Sequence, residues 1–262
     1  MRLPFLRSAP RIAVLRLSGV IASGGRGRLS DDTLGPLIER AFRRGRPAAV
    51  ALLLNSPGGS PAQSSLIAAR IRRLAEERKI QVHAFVEDVA ASGGYWLATA
   101  ADRIWLDPTS IVGSIGVISS SFGLHDFISR HGIERRVHTA GRSKSWLDPF
   151  QPEKPEDIER LKALQEQIHD LFIAQVKARR PGLASDRDLF TGDVWVGARA
   201  VEIGLADGIG HLVPRMKALY GDKVRFLTYG PRRGLLQRFG LAATAMLADA
   251  VEERAAFARF GL

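Results

Sequence analysis

The chain has 262 residues, 45% of them hydrophobic and 25% charged, enough for one large core or for one domain with an appendage. It has no cysteine, which excludes a disulfide framework and any thiolate metal site. Its formal net charge of +11 favours polyanionic partners, but no basic helix with interleaved aromatics is present, so nucleic acid is not expected among them.

The first residues, MRLPFLRSAPRIAVLRLSGVI, imitate an export signal, but Arg16 interrupts the apolar run. The alternation from Arg11 to Ile21 predicts a strand instead. No window reaches the ~18 uninterrupted apolar residues of a membrane span. The expectation is therefore a chain without leader or anchor, cytoplasmic or on a membrane periphery. Ser30 predicts the cap of a helix over 31–44, with Asp31 and Asp32 at its positive end. The apolar run Ala48 to Asn55 suits a strand buried on both faces, and SPGGS after it a sharp turn. Residues 62–79 predict an amphipathic helix with Leu66, Ile67, Ile71 and Leu74 on one face. IQVHAFVEDVA reads as a strand, SGGYWLATAA as a helix start, DRIWLDP as a strand, and SIVGSIGVIS as more β structure. Pro155, Glu156 and Asp157 open the longest helix, which RRPG ends. LFTGDVWVGARAVEIGLADGIG reads as loop, short helix and turn. The alternation of strand and helix predicts an α/β fold with parallel strands. Residues 1–215 read as the main domain, and 216–262 as a strand and an amphipathic tail helix. That tail suits docking on its own domain or on a neighbouring subunit; a helix lying on a membrane surface is the alternative.

The candidate chemistry starts at Ser92. It stands between strand and helix and is followed by Gly93 and Gly94. A residue there meets free backbone N–H groups and the positive end of the helix dipole. Gly93 has no side chain, so a substrate backbone could approach, and its N–H could face the oxygen of a carbonyl attacked by Ser92. The logic is that of a nucleophile elbow without the G-x-S-x-G pattern, and a plain helix cap explains the junction equally well. Gly58 and Gly59 end the preceding buried strand. In a parallel sheet both turns share the carboxyl edge, where ligands bind and backbone N–H groups can hold an oxyanion.

A serine hydroxyl needs a base. Lys144 lies near Trp146, Leu147 and Phe150, and desolvation among apolar groups would lower its pKa enough for it to take a proton. None of His83, His125, His131, His138, His169 and His211 is tied to Ser92 by its setting. His125 with Asp126 or Asp148 is the candidate for a Ser-His-Asp arrangement. Glu87 and Asp88 are the carboxylates that an acyl-CoA enzyme would use, but they read better as a strand end. No HExxH or clustered ligand spacing is present, so no metal and no cofactor is implied.

LLLNSPGGS, VAASGGYWLATAADRIWLDPTSIVGSIGV, GRSKSWLDPF and FTGDVWVGARAVEIGLADGIG, in that order, resemble the signal peptide peptidase A (SppA) family of serine proteases, over about residues 12–212. The resemblance implies the Clp protease/crotonase fold of repeated β-β-α units, in its single-repeat form. It implies Ser92 as nucleophile, Lys144 as general base, the N–H groups of Gly59 and Gly93 as oxyanion hole, and Ser114 as the residue orienting the lysine. It also implies a homo-oligomeric ring, such as a dome-shaped octamer, whose sites take serine and lysine from neighbouring subunits. The implied substrates are hydrophobic peptides, signal peptide remnants among them. Two features depart from the pattern: Ser143 stands where many members have tyrosine before the lysine, and the membrane anchor of many members is not seen. Basic charge and the tail leave a peripheral membrane contact as an expectation. An acyl-CoA enzyme and an inactive scaffold are the alternative readings.

Overall fold

The computed structural model describes residues 9–24, 27–141, 144–230, 251 and 253–262. They form two compact units, one from residues 1–115 with 173–262 and the other from residues 116–172.

The first unit alternates strand and helix as the sequence predicts. Strand β1 (Arg11–Ser18) leads to α1 (Asp31–Arg43), β2 (Ala49–Ser56), α2 (Pro61–Arg78), β3 (Gln81–Ala91) and α3 (Gly93–Ala98). Then come β4 (Arg103–Leu106) and β5 (Ile111–Gly113). After the second unit follow β6 (Val194–Val196), α6 (Gly197–Glu202), β7 (Gly208–Ile209), α7 (Leu212–Tyr220) and β8 (Arg225–Tyr229). The sheet order is β6-β5-β3-β2-β1-β8, with β4 pairing β3 and β7.

β1, β2, β3 and β8 pair in parallel, and β2 is apolar from Ala49 to Leu54 because both its faces are covered. β3 serves two neighbours: His83–Val86 pair β4, and Val89–Ala91 pair β5. Glu87 and Asp88 lie between these stretches, where the register against β2 shifts. The parallel expectation fails at one edge. β6, read as loop from the sequence, pairs antiparallel with β5. The β-rich run expected after Ser110 ends at Gly113, because Ser114 turns to φ 51° and donates its N–H to the Asp193 carbonyl instead (2.7 Å).

Local signals set the helices. Ser30 caps α1 by accepting from the Thr33 N–H at 3.3 Å. α2 buries Ile67, Ile71 and Leu74 together with Ala68 and Ala75. Leu66, expected on that face, is 51% exposed, since one step along a helix turns a side chain by about 100°. Arg70 joins α2 to α1 through both oxygens of Asp31 (2.7 and 2.6 Å) and holds that carboxyl below its ordinary range.

The second unit contains α4 (His125–Arg130), which the sequence reading missed, and residues 155–172 of α5 (Pro155–Arg179). α4 buries none of its residues, so it lacks the apolar periodicity that announces a helix. The last turns of α5 belong to the first unit. There the Arg179 guanidinium takes the carbonyls of Thr99 (2.9 Å) and Ala101 (3.0 Å), placing a cation at the C-terminal end of α3. Residues 253–258 of the tail are helical. Residues 232–250 and 252 of the tail helix expected over 232–262 lie outside the described residues, as does Ser143.

Candidate functional site

Ser92 is the first residue past β3, and its backbone is strained. Its φ is 51° and ψ −122°, a region that residues with a Cβ rarely enter and that costs about 1–3 kcal/mol. Two backbone bonds hold it there. Its N–H donates to the Gly113 carbonyl at 2.8 Å, and its carbonyl accepts from the Trp96 N–H at 3.0 Å. Its hydroxyl makes no capping bond to α3. The helix-cap reading is therefore set aside, and the Oγ is presented by a strained strand-to-helix turn at the carboxyl edge of the sheet.

The glycine turn after β2 lies against it. A Cβ on Gly58 would come within 2.8 Å of the Ser92 Cβ and 2.9 Å of the Gly93 nitrogen. Ile21 makes a parallel bridge with Gly59: the Ile21 N–H donates to Gly58 and the Ser60 N–H donates to Ile21. In that geometry the N–H of Gly59 points the other way. Among the described residues neither the Gly59 nor the Gly93 N–H has an acceptor. The Gly59 nitrogen is 3.4 Å from the point that a Cβ on Gly93 would occupy. The two N–H groups thus sit close together, beside Ser92, at one sheet edge.

Gly93 lacks a side chain for a structural reason as well, since a Cβ there would run into Ser64 Oγ. Gly93 is small because α3 packs directly on α2, and Gly94 because the Ser56 carbonyl lies 2.4 Å from its own Cβ position. Ser64 is fully buried and donates to the Ser60 carbonyl at 2.9 Å. Sequence reasoning missed Ser56 and Ser64. Their one signal was small polar residues within a turn of the glycine pair.

Ser114 occupies the matching place on the next strand. Ala91 pairs with Gly113, so Ser92 and Ser114 each follow one member of that pair, and both have φ 51°. The structure brings together Ser92, Gly59, Gly93 and Ser114. Lys144 belongs to the second unit, in a turn where its N–H donates to the Gly141 carbonyl at 3.2 Å. It is exposed, so the apolar neighbours expected to desolvate it do not cover it. The residues after it are fixed locally. Arg135 pairs with Asp148 at 2.8 Å, holding that carboxyl below its ordinary range, and stacks over Phe150 at 5.0 Å. Arg160 lies over Trp146 at 5.9 Å.

The competing groups are engaged elsewhere. Glu87 pairs with Arg16 at 2.9 Å, and Asp88 accepts from the Asn55 amide. His125 pairs with its neighbour Asp126 at 3.1 Å in the second unit, while Asp148 belongs to Arg135. His83 is buried and bonds Tyr220, and His211 bonds Asp107 at 2.8 Å.

Comparison with known proteins places this geometry. A protein of Brucella melitensis named Na(+)/H(+) antiporter NhaA is 49% identical over an alignment of 271 positions that covers 96% of this chain and 37% of that protein. The putative protease SohB of Buchnera aphidicola is 33% identical over 204 residues, which is 78% of this chain and 57% of the relative. The chain thus spans well under two thirds of either. No helix among the described residues is long and apolar enough to cross a membrane. A structure of a membrane-bound stomatin-specific protease mutant in complex with a substrate peptide superposes with a TM-score of 0.55, at 16% identity, over 93% of this chain and 98% of that one. That likeness establishes the α/β fold as the Clp protease/crotonase type found in such peptidases. The signature of peptidase family S49 covers residues 75–220, more than half of the chain and all of the stretch from Ser92 through Lys144 to β6, and the chain belongs to that family.

Proposed function

We propose that the protein is a serine endopeptidase with a Ser-Lys dyad, acting on hydrophobic peptides such as released signal peptides. One observation carries the reading. Among the described residues, a strained serine whose hydroxyl makes no capping bond stands beside two N–H groups that lack acceptors, at the carboxyl edge of a parallel sheet. In the proposed reaction the Ser92 oxygen attacks the peptide carbonyl carbon while its proton passes to the neutral Lys144 amine. The oxyanion is held by the N–H groups of Gly59 and Gly93. The lysine then protonates the leaving amine as the C–N bond breaks. Water, deprotonated by the same amine, cleaves the acyl ester and regenerates Ser92. Ser114 is the residue that orients the amine.

Lys144 is exposed in the single chain, and a neutral lysine needs burial. Burial between subunits of a ring, an octamer among the possible sizes, supplies it, and the lysine then serves the Ser92 of a neighbour. The second unit supports this reading by exposing Ile118, Phe122, Phe127 and Ile133, each at least 56% accessible. The acyl-CoA reading is not favoured, because Glu87 and Asp88 are held by Arg16 and Asn55.

Cleavage of a fluorogenic hydrophobic peptide by wild type, Ser92→Ala and Lys144→Ala, each checked for assembly, tests the proposal. Losses of about 10⁴-fold or more in kcat are expected for both variants. An assembled Lys144→Ala with full activity would reassign the base, and an assembled, active Ser92→Ala would remove the serine mechanism.

A further inference from the structure

The segment TGDVWVG, residues 191–197, contains no group of the proposed dyad, yet it reaches the site from behind. β6 is a three-residue edge strand whose side chains alternate in direction. Val194 and Val196 are 42% and 48% exposed, so Trp195 is the one that turns inward. It lies over Gly113. A Cβ on that glycine, which has φ 109°, would meet Trp195 Cδ1 at 3.0 Å and the Asp193 carbonyl oxygen at 2.8 Å. Among the described residues the buried indole Nε1 has no hydrogen-bond partner, and the contact that the ring makes with Gly113 is one of packing.

The backbone bonds on either side of Gly113 give this contact its consequence. The Gly113 carbonyl accepts the N–H of Ser92 at 2.8 Å, and the Asp193 carbonyl accepts the N–H of Ser114 at 2.7 Å. Both serines have φ 51°, a conformation that persists only where surrounding structure imposes it. The far end of β6 is fixed as well. The Gly197 N–H donates to the Ser110 carbonyl at 3.1 Å, and Gly197 packs so tightly on Pro108 that a Cβ would sit 2.0 Å from its carbonyl oxygen. The strand is therefore bolted at both ends across the short β5, with the indole pressed on Gly113, the last residue of β5.

We infer that Trp195 is a positioning residue for the peptidase reaction: by packing on Gly113 it locks β6 against β5 and so holds Ser114, and with it the strained Ser92 turn, in register. The inference rests on the Ser-Lys reading given above. It predicts an effect on turnover and not on substrate binding, because Trp195 is covered from solvent on its indole edge and lies behind the two serines.

The test uses the full-length protein and a fluorogenic hydrophobic peptide, with kcat, KM, the pH profile of kcat and assembly measured for each variant. Trp195→Ala is expected to lower kcat about 100-fold at unchanged KM, the size of loss that a misplacement near 1 Å produces. It is expected to displace the acidic limb of the pH profile in the same direction as Ser114→Ala. The double variant should lose far less than the product of the two single losses, since both act through the placement of Ser114. Trp195→Phe, which keeps an aromatic ring on Gly113, should restore most of the turnover. Should Trp195→Ala not be recovered folded, Trp195→Leu is read in the same way. Losses that multiply, or a KM that rises while kcat stands, would overturn the inference while an inactive Ser92→Ala kept the dyad reading intact. An active, assembled Ser92→Ala would remove both.

Discussion

The unit built from residues 1–115 and 173–262 encloses a large apolar core of its own, with Ile12, Leu52, Ile67, Ile71 and Leu97 fully buried around the sheet. Residues 116–172 do the opposite. Phe122 is 84% exposed, Ile118 70% and Phe127 58%, and α4 buries nothing. The contrast assigns different physical requirements to the two halves of the proposed dyad. The Ser92 turn is strained, and strain of that kind persists only on a rigid frame, which the first unit supplies by its own packing. Lys144 needs desolvation, which the second unit does not provide in a single chain. On this view the nucleophile is a property of the fold and the base a property of the assembly.

The sharpest way to break that contrast is to change the second unit alone. Phe122→Asp combined with Phe127→Asp places two charges on the exposed apolar surface of the second unit and alters no residue of the first. The assembly is expected to dissociate, and turnover to fall to the level of Lys144→Ala, while melting of the first unit is unchanged. Light scattering with peptide cleavage checks it. A dispersed protein that still cleaves at the wild-type rate would show that the lysine needs no neighbour.

A change confined to the first unit should act differently. A Cβ on Gly59 would lie 2.0 Å from the Ile21 carbonyl, and its φ of 140° suits glycine alone. Gly59→Ala must therefore move the turn and turn its N–H aside. A kcat loss of about 10²–10³-fold is expected, the usual cost of one oxyanion donor, with the assembly intact. Assembled Gly59→Ala with wild-type kcat would remove that N–H from the site.

The same contrast explains what could be read from the sequence. Most of the first unit was legible because its signals are local. Apolar runs mark β2 and β3, Ser30 caps α1, and paired glycines mark the turns that meet at Ser92. Ser92 itself stood out as a small polar residue between two buried segments, although only the structure separated a cap from a presented hydroxyl. Illegible features depended on contacts distant in sequence. β6 is three residues long and exists because it pairs with β5, more than 80 residues earlier. The side-chain direction of Gly93 is taken by Ser64 on α2, a contact that no spacing announces. Lys144 seemed apolar in its surroundings because Trp146, Leu147 and Phe150 adjoin it, yet sequence neighbours are not spatial cover. α4 carried no periodic apolar face to detect.

Within the first unit a smaller effect comes from Asp207, which ties three parts together. It accepts from the Ile104 N–H at 2.7 Å, from Arg180 at 2.7 Å and from Arg103 at 2.9 Å. Burial alone would raise its pKa, but these donors outweigh it and hold the carboxyl below its ordinary range. Asp207→Asn leaves the Arg180 guanidinium, 11% exposed, without its counter-charge. A loss of about 2 kcal/mol is expected, below the cost of breaking a fully buried pair. Urea unfolding at neutral pH measures it, and a loss under about 0.5 kcal/mol would mean that the pair is solvated.

The smallest effect concerns His83, on β3 beneath the Ser92 edge. Burial pushes its pKa down from the ordinary 6.5; among the charges facing it, Asp102 and Asp207 oppose that shift and Arg103 adds to it. Tyr220 donates its hydroxyl to Gln81 at 3.2 Å, so it accepts from His83 Nε2–H at 3.2 Å. Nδ1 is then the bare nitrogen, buried with no partner among the described residues, and a proton there would be a stranded donor. The folded protein therefore keeps this imidazole neutral at a pH where the unfolded chain has already bound the proton. Its contribution to stability is complete above pH 6.5 and drains as the pH falls below that value. It levels off once the folded state protonates as well. His83→Gln retains a donor for Tyr220 but cannot titrate, so its urea midpoint should decline less than that of wild type as the pH falls below 6.5. Parallel curves would place the acid sensitivity elsewhere. Because His83 belongs to the first unit, the difference between the curves should also survive in the Phe122→Asp, Phe127→Asp protein, whose assembly is lost.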